Sequence, residues 1–331
     1  MSAVEAGMRD TTVQRRAVQR YLVPLGVSAA IILLAFALLD WIAIEYAYLA
    51  TYTILQYVVL ATAWNIFGGY AGYVNFGVAA FFALGVYASV VNYLTLQLPL
   101  PVMILIAGVI SGVVGLGMGY LTLRLRGVFF SIATLAFAVV LNTIFINWHF
   151  VGGSRGVSVV RPEAPAFFNS YTRYLFAVML LLAVASVLIA RAIEYSWLGR
   201  GLAAIRDDEL AAECSGVPAL RLKLMATTIS GALMGMAGAP FPYYITYVDP
   251  ASAFSLTIAV NTVAMPVIGG MTTWIGPVIG AMLLGTLQQV ATVTISSVLS
   301  LMLVGVLLVV FVALAPRGIV GVVKDLRERT K

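Results

Sequence analysis

The segment "GRGLAAIRDDELAAECSGV", residues 199–217, carries Arg200, Arg206, Asp207, Asp208, Glu209 and Glu213. It stands between two tracts almost without charge. Residues 46–123 contain no Lys, Arg, Asp or Glu, and residues 224–316 contain only Asp249. The whole chain of 331 residues is 62% hydrophobic and 10% charged, with a mean hydropathy of +1.03. Apolar runs of about 18 residues or more are long enough to cross a bilayer core as helices. The runs are continuous rather than alternating, which excludes a membrane barrel. The reading is an all-α polytopic membrane protein interrupted by one charged island.

Working outward from the island, ten hydrophobic segments are expected: 22–39, 47–67, 76–95, 101–121, 128–147, 174–194, 223–245, 257–270, 273–293 and 297–314. The membrane domain then covers 22–314, with a cytoplasmic segment 1–21 before it and a tail 315–331 after it. Residues 195–222 form a cytoplasmic loop within the membrane domain. The N-terminus has no signal-peptide pattern, so the first span is expected to act as its own insertion signal.

Lys and Arg set the orientation. With both termini in the cytoplasm, that side collects Arg9, Arg15, Arg16, Arg20, Arg124, Arg126, Arg191, Arg200, Arg206, Arg221, Lys223, Arg317, Lys324, Arg327, Arg329 and Lys331. The outer side keeps Arg155, Arg161 and Arg173, three of the nineteen basic residues. Six spans before residue 195 and four after it satisfy this asymmetry. The net charge of +6 therefore reports membrane topology rather than nucleic-acid binding. A single cysteine, Cys214, and a single histidine, His149, exclude an internal disulfide and a Cys- or His-based metal site.

Residues 200–215 read as a short helix, because Ala203, Ala204, Ala211 and Ala212 favour one. Gly216 suits a left-handed C′ position and Pro218 blocks simple continuation. On one helix, Arg206, Glu209 and Glu213 share a face, while Ala203, Leu210, Ala211 and Cys214 line another. Such an element either docks a partner through small residues and charge or is a solvated loop helix with no partner.

"ELAAECSG" resembles the cytoplasmic docking loop of ABC importer permeases, with Ala211, Ala212 and Gly216 matching and Leu210 standing where that motif has Glu. The likeness widens over "GGYAGYVNFGVAAFFALGVYASV" (68–90), "LRLRGVFFSIATLAFA" (123–138), "VGGSRGVSVVRP" (151–162), "VIGGMTTWIGPVIGA" (267–281) and "APRGIVG" (315–321). In this order the segments resemble the LivM-type permease of branched-chain amino acid ABC importers. Val78 and Asn75 depart from the family pattern, where many members have His and Ser. The resemblance implies a bacterial inner-membrane subunit that pairs with a second, related permease and two ABC ATPases, and receives substrate from a periplasmic binding protein. It implies that Arg206, Asp207, Asp208, Glu209, Ala211, Ala212 and Gly216 form the ATPase-coupling element. ATP and Mg would sit on the ATPases, and this chain would bind no cofactor and catalyse nothing. The sequence also lacks a Gly-Lys-Ser/Thr phosphate loop of its own.

A pathway needs polar groups facing the bundle, and helix breaks in a bilayer occur only where buried or lining a cavity. Two Gly-rich stretches fit. One offers Asn65, Gly69, Gly72 and Asn75; the other offers Gly269, Gly270, Thr272 and Thr273. The alternative for each glycine is close helix packing. No Asp, Glu or Lys lies deep in an expected span, which points to an external energy source and a substrate without net charge. A branched-chain or related amino acid fits, as does urea or another small neutral amide or carboxylate of the same importer family. A self-contained facilitator, working without ATPases, is the competing class. The outer loop 148–173 would receive a binding protein or cap the bundle. Reporter fusions test the topology: they should read as periplasmic at residues 150–171 and as cytoplasmic near Asp208 and Arg327.

Overall fold

The computed structural model describes residues 45–125, 127–165 and 168–294, together with positions 302, 305, 306, 309 and 318–321. The chain divides into two units, Met1–Tyr48 and Leu49–Lys331, and the packing described below belongs to the second. Twelve α-helices lie in the continuous described stretches. They are α1 (Glu45–Ala71), α2 (Val78–Leu94), α3 (Leu100–Thr122), α4 (Val128–Asn147), α5 (Tyr171–Glu194), α6 (Trp197–Asp207) and α7 (Glu209–Cys214). After these come α8 (Ala219–Gly238), α9 (Phe241–Ile245), α10 (Pro250–Ala253), α11 (Leu256–Gly269) and α12 (Ile275–Thr294). Two-residue strands β1 (Val157–Ser158) and β2 (Tyr247–Val248) pair antiparallel and tie the 148–165 loop to the α9–α10 connection.

Seven segments among the described residues are long and apolar enough to cross a membrane, and α2, at Val78–Leu94, is a shorter apolar helix. This is a multi-pass, all-α membrane protein. Eight of the expected hydrophobic segments coincide with described helices, the 223–245 segment being α8 and α9 together. The segment 22–39 and both termini (1–21, and 315–331 apart from 318–321) lie outside the described residues, as does 297–314 except at isolated positions. The one charged residue of the long apolar tract, Asp249, caps α10. Its carboxylate accepts from Ser252 N at 3.2 Å, and its own backbone N–H donates to Ser252 Oγ at 3.4 Å, a reciprocal capping box.

Glycine decides how the central helices meet. Gly108, Gly112, Gly115 and Gly119 lie along one face of α3, and all four approach α8 at Met236, Ala232 and Thr227. On α8, Gly235 lies against Ser111 and Ala107 of α3, while Gly85 of α2 faces the Gly235 carbonyl so closely that a Cβ there would collide with it. Inside a bilayer, apolar side chains gain little by leaving lipid, so helices associate through close backbone approach at small residues. Thus α2, α3 and α8 form one interlocked set. The α11–α12 hairpin closes in the same way, with Gly269 and Gly276 back to back.

Gly117, by contrast, has nothing within 4 Å of the position a Cβ would take. Gly85→Leu should therefore destabilise the purified protein by about 1–3 kcal/mol or more through overpacking. Gly117→Leu should leave thermal stability near that of the unaltered chain, as read by temperature-scanned size-exclusion recovery.

Candidate functional site

The charged island is two helices rather than one. The 200–215 helix expected from composition breaks at Asp208, whose extended backbone (φ −160, ψ 112) ends α6 and whose carboxylate caps α7 by accepting from Ala211 N at 3.0 Å. A capping aspartate competes with helix continuation, and here it wins. Ser196 caps α6 similarly, accepting from Leu198 N and Gly199 N. Gly216 adopts φ +84 just past α7, the left-handed terminator expected of it.

The break corrects the face assignment. Leu198, Leu202 and Ile205 of α6 and Ala212 of α7 are buried. Leu210, Ala211, Glu213, Cys214 and Gly216 are exposed, with Asp207 and Asp208 beside them. Arg206 and Glu209 do not share Glu213's outward face. The Arg206 side chain lies over Gly72, its Cγ 2.9 Å from where a Cβ would stand, and ion-pairs with Asp207 at 3.5 Å.

Glu209 turns fully inward. One carboxylate oxygen accepts from Lys223 Nζ at 2.7 Å, and the other accepts from the Tyr73 hydroxyl. Lys223 also donates to the Tyr73 hydroxyl at 3.2 Å, and its ammonium sits 4.8 Å from the Tyr73 ring centroid. The side chains of Lys223 and Glu209 are 3% and 15% exposed. Tyr73 is held edge-on to Phe130 (5.3 Å between centroids, 90°) and near Phe67, so its position is fixed from α1 and α4 as well. Sequence reasoning assigned no role to Tyr73 or Lys223.

The two Gly-rich stretches meet at this same end of the helices. The first is less broken than expected: α1 continues through Asn65, Gly68 and Gly69 to Ala71, and the turn is 72–77. The second turns at 270–274. Asn65 Nδ2 donates to Thr273 O at 3.3 Å, and a Cβ on Gly69 would collide with Met271 O. The Asn65 Oδ1 atom is buried without a partner among the described residues. Glu194, at the end of α5, accepts from Trp274 N at 2.6 Å and from the Tyr70 hydroxyl at 3.3 Å. A cavity of about 150 Å³ lies here, lined by Tyr70, Glu194, Gly199, Arg200, Ala203, Arg206 and Thr272. Gly270 (φ +120) is buried against Gly318. Gly69, Gly72 and Thr272 thus lie beside Arg206 of α6, with Gly269, Gly270 and Thr273 at the adjoining turn, at the ends of spans rather than partway along them.

Asn75 is held within its own turn. Its Oδ1 accepts from Gly77 N at 2.7 Å, and its backbone carbonyl accepts from Trp64 Nε1 at 2.8 Å. Ser131 and Thr134 of α4 bond the same turn at Val74 O and Phe76 N. At the opposite end, Arg161 is committed to the carbonyls of Tyr243 and Tyr244, both at 2.7 Å, which fastens the 148–165 loop over α9.

Seven membrane-length segments and one partly exposed two-helix element between them define a multi-pass membrane protein. The family described as "Branched-chain amino acid transport system / permease component" matches residues 45–312, and the chain belongs to it. The LivM high-affinity branched-chain amino acid permease proteins of Salmonella typhimurium and Escherichia coli are each 28% identical to it over 297 residues, covering 82% of this chain and 69% of theirs. No solved structure gives a significant match.

The geometry of the 72–77 turn makes a prediction about Asn75. Asn75→Ala strands the Gly77 N–H and should cost about 1–3 kcal/mol. Asn75→Ser keeps a neutral acceptor that can reach the Gly77 N–H as in an ST turn, and should cost less. Thermal unfolding of the solubilised variants measures both, and equal losses would remove the turn-forming role.

Proposed function

We propose that this chain is a permease subunit of an ABC importer. It would move branched-chain or related amino acids inward across the bacterial inner membrane, using ATP hydrolysed elsewhere. ATP and Mg would reside on two partner ATPases, with a second related permease completing the pathway and a periplasmic binding protein delivering substrate. The chain itself would bind no cofactor and no nucleic acid; its other contact is the lipid bilayer. The observation that carries this reading is the two-sided character of α6–α7. One side is buried on the helix bundle. The other presents Leu210 and the small residues Ala211, Cys214 and Gly216 to the outside, flanked by Asp207, Asp208 and Glu213. A solvated loop helix has no need of so firm an inner attachment. A docking element that transmits force does.

Family membership supports the substrate class, since the LivM relatives are named as branched-chain amino acid permeases. A zwitterionic amino acid needs no fixed counter-charge if helix ends and amide dipoles hold it. In this reading Asp207, Asp208, Ala211 and Gly216 belong to the contact surface. Ala212, Arg206 and Glu209 support it from within. Asn65, Gly69, Gly72, Asn75, Gly269, Gly270, Thr272 and Thr273 line or brace the inner mouth of the pathway.

Ala211→Trp tests the docking surface, because the added indole meets the partner and not this chain's own core. ATPase co-purification and uptake of labelled leucine should both fall about tenfold or more, the loss expected for a central contact, with membrane abundance unchanged. Undiminished ATPase capture and uptake would refute the docking surface. Leucine uptake by the chain alone in liposomes would favour a self-contained facilitator.

A further inference from the structure

Between the docking element and the membrane helices lies a buried ion pair whose place in the fold gives it more than a stapling role. Glu209 is the first residue of α7, immediately after the break at Asp208. Lys223 lies near the start of α8 and is 2% exposed. Tyr73 belongs to the 72–77 turn between α1 and α2. The three side chains bond one another in a closed triangle: Lys223 Nζ to Glu209 at 2.7 Å, Lys223 Nζ to the Tyr73 hydroxyl at 3.2 Å, and Tyr73 to the second Glu209 oxygen. Three separate stretches of chain therefore converge on one hydrogen-bonded knot at the joint of the two-helix element.

What lies beyond each corner matters. From Lys223, α8 runs on to Gly231 and Gly235, where it is in backbone contact with α2 and α3. From Tyr73, the turn leads directly into α2 and rests on Phe67 of α1 and Phe130 of α4. A displacement of Glu209 pulls on α8 and on the α1–α2 turn together. Helices packed through glycine backbones have little slack, so they move as a set. By comparison, the Arg206–Asp207 pair joins neighbouring residues at 3.5 Å with Asp207 exposed, and Arg206 reaches the end of α1 only by a long hydrogen bond, 3.5 Å to the Gly69 carbonyl. Exposed pairs of that sort contribute little.

We propose that the Glu209–Lys223 pair, closed on the Tyr73 hydroxyl, is the linkage that passes movement of α6–α7 to α8 and the α1–α2 turn. Glu209 and Lys223 are accordingly positioning residues for transport, not contacts for the ATPase or the substrate. This rests on the ABC-importer reading above. It adds the prediction that docking and coupling separate: the outward residues hold the motor, and the inward triangle delivers its stroke.

The test uses the assembled importer, with both permeases and the ATPases, in liposomes supplied with binding protein. Two quantities are read, ATPase retention and ATP hydrolysed per labelled leucine taken up. Glu209→Gln should leave retention within about twofold while raising ATP consumed per leucine about tenfold, the size of a typical coupling free energy. A lone buried ammonium left by that change is itself destabilising, so the double variant Glu209→Gln with Lys223→Met is the control. It removes both charges together and should recover membrane abundance while staying uncoupled. If the double variant restores coupling, the single variant failed only through a stranded charge, and the linkage is refuted. If uptake and ATPase retention fall in parallel in both variants, the pair serves docking alone, and the linkage is again refuted. If the unaltered chain retains no ATPase, the importer reading fails first and the linkage falls with it.

Discussion

A lysine ammonium buried at the start of an apolar helix imposes a demand on everything around it. Removing such an ion from water costs several kcal/mol even after relaxation, and only a close counter-charge with further hydrogen bonds offsets it. Lys223 meets that demand with Glu209 and Tyr73. Each partner must then be brought to the right place. Tyr73 needs the 72–77 turn, which Asn75, Trp64, Ser131 and Thr134 hold in shape. Glu209 needs α7 to leave the direction of α6, which the Asp208 cap achieves. The kink, the turn and the first stretch of α8 together satisfy one electrostatic requirement.

The same end of the protein gathers further fastenings of a different kind. Glu194 joins α5 to the 270–274 turn and to Tyr70, and Arg191 stacks 5.5 Å from the Trp274 ring centroid. Asn65 reaches the Thr273 carbonyl. Two hairpins, α1–α2 and α11–α12, thus share one floor under α6–α7. Their glycines allow backbones to meet where side chains would hold them apart. Interiors packed this closely transmit displacement instead of absorbing it. Stiffness at this end and close helix contact beyond it belong to the same mechanical design.

Much of this was legible in the sequence, because the physics involved is one-dimensional. Eight of the expected apolar segments read as helices and coincide with described helices. Gly216 stands where a helix must stop, and it takes the left-handed conformation that stopping requires. Alanine content argued for helix across 200–215, yet local capping overrode propensity at Asp208. That signal was present, since aspartate competes strongly for a cap, but it was outweighed by the alanines on both sides. Once the helix is broken, i, i+3, i+7 spacing no longer implies a common face, so Arg206, Glu209 and Glu213 part company. The Glu209–Lys223 pairing was beyond reach. The two lie 14 residues apart with the rest of α7, a glycine turn and a proline between them, and neither periodicity nor composition reports the angle that brings them together. Lys223 counted only as a loop charge at the edge of a span.

The Gly-rich stretches show why a residue type at an expected depth is a weak guide to its work. Asn65 and Asn75 satisfied the reasoning that an amide in an apolar run needs a partner. The partners are backbone groups of this same chain: Thr273 O for Asn65 and Gly77 N for Asn75. An amide so used shapes a turn first and meets cargo only if a group is left over. Asn75 has its oxygen engaged, whereas the buried Asn65 oxygen has no partner among the described residues. Further along the spans the polar groups are neutral. Asn261 donates to the Tyr57 hydroxyl at 3.2 Å, Gln56 donates to Ala237 O at 3.2 Å, and Thr62 and Ser89 are buried hydroxyls. Fixed charge, costly in a membrane, is concentrated where α6–α7 attach. A neutral interior with its ion pair at the attachment point is what the proposed division of tasks requires: dipoles would suffice for a cargo without net charge, and the strong, directional interaction would be kept for the part proposed to bear load.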